Sequence, residues 1–179
     1  MRFIVSDDSG LMGLVDPDAY SGFVDRGWTL GGLFHRFQRE MTNRHMLIWG
    51  TGGEGTWRVQ VTLGQAPVAH ARMAVGGIHV SHGKLCLVSY ESLTMAAQFE
   101  DVSLPEPHEA DCLFDVPAGA YRCSITRVRL AGTGDGPRDR GPDIVVALEA
   151  VEANLLPDVW EDVPWPPPGM GARSREGDA

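Results

Sequence analysis

The stretch FDVPAGAYRCSITRV, residues 114 to 128, constrains this chain more than any other. Cys112, Phe114 and Val116 share one side of an extended segment. Tyr121, Cys123 and Ile125 share one side of the next. This is the period-2 alternation of half-buried strands. Matching the two faces sets Val116 opposite Tyr121 around the loop PAGA. A two-residue hairpin turn needs positive φ, which Pro-Ala cannot supply. Pro117 instead suits the first central position of a type I turn, with Gly119 following. The expectation is a hairpin whose turn sets its register. Cys112 and Cys123 then lie diagonally on one face as free thiols.

The same logic runs along the chain. RFIV and LMGLV flank SDDSG and predict an N-terminal hairpin. HMLIW (45–49) and TWRVQVTL (56–63) flank GTGGEG and predict a second. ARMAV and GIHV lie either side of Gly76-Gly77, and KLCLVSY reads as a further short strand. IVVALEAV (144–151) is apolar almost throughout, which predicts a strand covered on both faces. LGGLFHRFQREM (30–41) fits a short helix or a strand, because Gly31-Gly32 weaken the helical face of Leu33, Phe34 and Phe37. ESLTMAAQFE fits a helical turn or a continuing strand. Eight or nine short strands, with 22 glycines and 12 prolines between and within them, predict an all-β fold. Its form would be an antiparallel β-sandwich with little helix. One domain over 1–156 and a Pro-rich tail over 157–179 is the simplest division. Prolines 166 to 168 forbid helix and ladder there, while Trp160 and Trp165 are candidate anchors of the tail.

Charge narrows the function classes. The net charge of −9 repels phosphates, so no nucleic-acid partner is expected. The same charge suits a basic protein. Three cysteines without a spacing motif fit neither a disulfide framework nor a zinc site. MRFIVSDDSG has no signal-peptide pattern, and no run approaches the roughly 18 apolar residues of a spanning helix. The expected setting is the cytoplasm, with no membrane partner.

Candidate chemical motifs are weak. Gly50, Gly52 and Gly55 match G-x-G-x-x-G, but a strand follows where a phosphate site needs a helix N-terminus. The pair in HVSH, His79 and His82, would face opposite ways along a strand and could share a metal only if the chain turns at Ser81. Glu91, His70 or His108 would be further ligands. Neither SDDSG nor GDGPRDRGPD has calcium-loop spacing. No G-x-S-x-G or H-E-x-x-H is present, and no catalytic residue or cofactor is assigned. The acidic run Glu100, Asp101, Glu106, Glu109 and Asp111 reads either as a solvated loop or as an edge that meets a basic partner. Glu149, Glu152, Asp158, Glu161 and Asp162 could extend it, with Trp160 and Trp165 as interface anchors.

GGIHV (76–80) and FDVPAGAY (114–121), with RVQVTL (58–63) before them, resemble the competence protein J family of small bacterial β-sandwich proteins. The resemblance spans roughly residues 45–151. It implies a protein-binding role, since the member that names the family inhibits a DNA-entry nuclease and related domains act as immunity proteins. The segment RFIVSDDSGLMGLVDP and the tail are more similar to a second group of bacterial domains of this length. The leading expectation is an inhibitor or immunity protein of a basic toxin or nuclease. The alternatives are a small-ligand or metal-binding sandwich using His79 and His82, and a module that pairs with a second copy of itself.

Overall fold

The computed structural model describes residues 1–65, 72–128 and 141–166. Nine strands form two sheets among these residues. The five-stranded sheet has the order β1 (Arg2–Asp7), β4 (Gly55–Leu63), β9 (Ile144–Val151), β8 (Gly119–Arg127), β5 (Arg72–Val80). The four-stranded sheet has the order β3 (Met46–Gly50), β2 (Leu11–Val15), β6 (Lys84–Ser89), β7 (Leu113–Asp115). Alternate side chains of both enter one buried cluster. Val5, Trp57, Val59, Ile78, Tyr121, Ile125 and Val146 come from the larger sheet, and Met12, Leu14, Trp49, Leu87 and Phe114 from the smaller. The β9 run lies between β4 and β8 with Ile144–Leu148 buried, as its continuous apolar character predicts.

The predicted hairpins are not hairpins. β1 and β2 belong to different sheets, as do β3 and β4, and β7 and β8. The segments SDDSG, GTGGEG and PAGA are corners at which the chain passes from one sheet to the other. Val116, just after β7, and Tyr121 of β8 thus enter the same buried cluster without being paired, and Cys112 and Cys123 do not share a strand face. Alternation reports which side chains turn inward. It is the same for two paired strands and for two strands that face each other across a core.

The corners brace one another in pairs. Asp7 Oδ1 accepts the Ser9 and Gly10 amides at 3.0 Å each, a local turn of the kind Asp favours. Its Oδ2 accepts the Thr51 hydroxyl at 2.9 Å, and the Thr51 amide donates to Gly10 O at 2.9 Å. At the other end, Val116 N donates to Gly83 O at 3.0 Å and Tyr121 Oη to Pro117 O at 2.8 Å. Asp16 Oδ2 takes the Ser81 amide at 2.6 Å.

Helix is more abundant than expected. α1 (Leu30–Thr42) and α2 (Tyr90–Gln98) cover the outer face of the smaller sheet, α1 on β3 and α2 on β6 and β2. Thr29 caps α1, its side chain accepting Gly32 N at 3.2 Å. Gly31 and Gly32 fall in the first turn, before the i to i−4 ladder closes, so they weaken the helix little. Leu33, Phe37 and Met41 then follow every fourth residue into the second buried cluster. One pairing also departs from the antiparallel expectation: β9 runs parallel to β4. Side-chain periodicity carries no strand direction.

The segment after β9 packs on the body. Trp160 Nε1 donates to Val75 O at 2.7 Å, Arg44 Nη2 to Pro157 O at 2.6 Å and Gly50 N to Pro164 O at 2.8 Å. It therefore covers the free edges of β5 and β3. His79 N on β5 is occupied by Arg44 O at 2.8 Å. Edge groups taken up in this way cannot template further strands. Residues 167–179 lie outside the description, as do His70 and most of GDGPRDRGPD.

Candidate functional site

The acidic run is built on a few buried residues. Ser89 ends β6 and caps α2, its hydroxyl accepting Ser92 N at 3.3 Å. The Ser89 amide in turn donates to Glu109 Oε1 at 2.8 Å. Glu109 lies in a 3-10 turn, Pro107–Cys112, and is only 6% exposed. Its carboxylate thus ties the turn to the head of α2. Leu104 and Cys112 are buried beside it, and Val102 packs on the second cluster. The Cys112 thiol reaches Ile4 O of β1 at 3.7 Å. These contacts hold residues 99–112 at the edge formed by β1 and β7.

What remains outside is charged. Glu100, Asp101 and Asp111 are exposed and Glu106 is half-buried. Glu109 is the exception to the predicted set. Its partner is a backbone amide of its own chain, so it is a structural residue and not part of an exposed face. Side chains three apart align in a 3-10 turn, so Glu109 turns inward with Cys112. Two residues not singled out in the sequence adjoin the acids: Met95 and Phe99 at the end of α2, each 38% exposed. Their signal is faint, since MAAQFE reads equally as the buried face of a short helix.

Trp160 and Trp165 are elsewhere. Both pack partly buried on the core along the β3 and β5 edge, opposite the β1 and β7 edge in the strand order. Asp158, Glu161 and Asp162 go with them and are exposed. The predicted acidic face and its predicted aromatic anchors are therefore not brought together. Gly76 makes the Trp160 position possible, since a Cβ there would come within 2.9 Å of the indole. A Cβ on Gly50 would collide with the Trp165 carbonyl. Two glycines of the GTGGEG loop thus serve packing: Gly50 admits the tail and Gly52 admits Arg127.

His79 and His82 are exposed, His79 on β5 and His82 in the turn after it. His82 Nδ1 lies 3.0 Å from Ser81 Oγ. Among the described residues no group of three or more His, Cys, Asp or Glu side chains is placed to hold a metal ion. The three cysteines are buried and free. Burial pushes all three thiols up, Cys112 to about 11 with Glu109 and Asp111 adding repulsion, so they stay protonated at neutral pH. Asp7 is likewise held above the usual carboxylate range, chiefly by burial. No described helix is long and apolar enough to cross a membrane.

A mixed five-stranded sheet and an antiparallel four-stranded sheet, with helices on one outer face, define a β-rich fold class that solved structures share. One is the protein titled crocagin biosynthetic gene J, with a TM-score of 0.59 and 17% identity over 83% of this chain and 95% of that one. Another is ComJ of Bacillus subtilis, titled an inhibitor of the DNA-degrading activity of NucA. It gives a TM-score of 0.52 and 12% identity over 84% of this chain and 96% of that one. The fold is thus ComJ-like, in accord with the resemblance carried by GGIHV and FDVPAGAY. No protein-family model matches the sequence, and a search of curated proteins finds no match.

Proposed function

We propose that this chain is a non-catalytic protein-binding module, an inhibitor or immunity protein that occludes a basic partner such as a nuclease or toxin in the cytoplasm. The observation that carries the reading is the exposed strip Glu100, Asp101 and Asp111, with half-buried Glu106, beside Met95 and Phe99. That strip rests on the buried supports Leu104, Glu109 and Cys112. Exposed acids speed encounter with a basic surface, and a flanking aromatic supplies the area that retains it. We read the two sheets as the layers of a β-sandwich, because side chains from both enter one cluster. Residues 1–156 would be that body and 157–179 its tail. ComJ, whose title names a nuclease inhibitor, lends the reading its partner class.

The experiment is a pull-down from source-cell lysate with wild type and with a variant in which Glu100, Asp101, Glu106 and Asp111 become Ala. The expected result is a basic protein that wild type retains and releases as salt rises, and that the variant fails to retain. Equal retention by both would overturn the site. Retention of no basic protein by wild type would overturn the partner class.

A further inference from the structure

Arg127 ends β8 on the same side as Tyr121, Cys123 and Ile125, so its side chain enters the interior between the sheets. It is 7% exposed. Its guanidinium lies over the Trp165 ring, 5.6 Å from the centroid. On the other side it presses against Gly52, where an added Cβ would overlap Nη2. Arg127 Nε has no hydrogen-bond partner among the described residues. None of the ion pairs among the described residues includes Arg127.

This is an unusual thing to build. A buried guanidinium without a counter-charge is costly, and chains normally pair it with a carboxylate. The cross-strand neighbour makes matters worse: Arg72 of β5 stands directly opposite Arg127. Like charges so placed repel, and that repulsion joins burial in lowering the Arg127 pKa. The indole face offsets part of the cost. It leaves Nε, an in-plane donor of the fork, without a partner among the described residues, and in-plane donors are what recognise an oxyanion. A bound anion would satisfy Nε, screen the two arginines from each other and keep the stack on Trp165.

We propose that Arg127, with Arg72 and the side-chain-free Gly52, forms a binding site for a small oxyanion, a phosphate or carboxylate group of a small molecule. The site lies at the β5 and β8 end of the larger sheet, apart from the acidic strip, and does not depend on the protein-binding reading.

The test uses the full chain in chloride buffer, titrated with inorganic phosphate and separately with acetate at matched ionic strength. Tryptophan fluorescence and thermal midpoint are the readouts, because Trp165 touches the guanidinium. The expected result is a saturable fluorescence change and a rising midpoint with phosphate. Arg127→Met should lose the change, Arg127→Lys should weaken it, and Arg72→Gln should weaken it by about tenfold, the loss of one charged hydrogen bond. Trp165→Phe should remove the fluorescence change but not the midpoint shift. A response to acetate and not to phosphate would assign a carboxylate to the same site. No saturable response to either anion would overturn the proposal. So would a response that survives in Arg127→Met. Should Arg127→Met fail to fold, an unaltered response in both Arg127→Lys and Arg72→Gln would be equally fatal to it.

Discussion

At the β1 and β7 edge, Glu100, Asp101 and Asp111 face solvent while Leu104, Glu109 and Cys112 turn inward. At the β3 and β5 edge the tail turns Trp160 and Trp165 toward the core and leaves Asp158, Glu161 and Asp162 outside. Both edges are acidic on the surface, yet they are closed by opposite means. The first is closed by a compact turn whose one buried carboxylate, Glu109, takes a backbone donor on Oε1 and has none on Oε2 among the described residues. The second is closed by the Trp160 ring in space left by Gly76 and by the Trp165 backbone against Gly50. The acids of the first edge keep an exposed aromatic, Phe99, beside them, whereas the tail's aromatics are already engaged. Under the proposed function, recognition falls to the first edge and stability to the second.

That division breaks most readily at the tail. Trp160→Ala removes a partly buried indole that touches both clusters and donates to Val75 O. The expected loss is about 3 kcal/mol, at the lower end for large aromatic truncations because the ring is not fully buried. Urea unfolding measures it. A loss under about 0.5 kcal/mol, the range of ordinary surface changes, would mean that the tail does not close this edge. Gly50→Ala should follow with about 2 kcal/mol, since the new Cβ displaces the Trp165 carbonyl. It should also expose β3, visible as faster hydrogen exchange at the amide of residue 50, which in wild type donates to Pro164 O.

Glu109 sharpens the comparison from the other side. Glu109→Ala leaves the buried Ser89 amide without its acceptor, at a cost of about 1 to 2 kcal/mol. Proteolysis should then cut within 99–112 before anywhere in β6. If unfolding free energy is unchanged, Glu109 does not hold the strip.

These two edges also show what was legible in the residues. Alternation around Val59, Tyr121 and Ile125 identified strands and inward faces, and the apolar run 144–151 identified a central strand. The partner sheet of each strand was not legible. A turn such as PAGA serves a hairpin and a corner equally, and only long-range packing decides between them. Helix α1 was hidden by Gly31 and Gly32, which matter less in a first turn than in a helix centre. The acids of 100–111 were visible as a set, but which one turns inward depends on the 3-10 turn that Pro107 starts. Arg127 carried no signal at all: one arginine at the end of an alternating strand looks the same paired or unpaired.

A smaller effect separates the brace at the corners from both edges. Asp7 is buried and its folded-state pKa lies above the unfolded value, chiefly through burial. The native state therefore binds the proton more tightly than the unfolded chain does. Its ionised form costs stability at neutral pH, and that cost fades as pH falls through the folded pKa. Asp7→Asn keeps an acceptor for the Ser9 and Gly10 amides, and Thr51 can turn its hydroxyl to Gly53 O, 2.9 Å away. The variant should match or slightly exceed wild type at pH 7, with the difference closing toward pH 4. A variant that loses more stability at pH 7 than at pH 4 would show that the charge itself braces the corner.

The smallest expected effect on stability is the one that tests function. Glu100→Lys with Asp101→Lys changes exposed side chains that support nothing, so unfolding free energy should stay within about 0.5 kcal/mol of wild type. Relief of repulsion in a chain of net charge −9 should make any change slightly favourable. Association with a basic partner should slow markedly at low salt and converge on wild type as salt rises, because screening removes the steering that the acids supply. The same exchange at Glu161 and Asp162, beside the engaged tryptophans, should leave association alone. If both pairs slow it equally, net charge and not the β1 and β7 strip steers the encounter, and the two edges do not divide their roles.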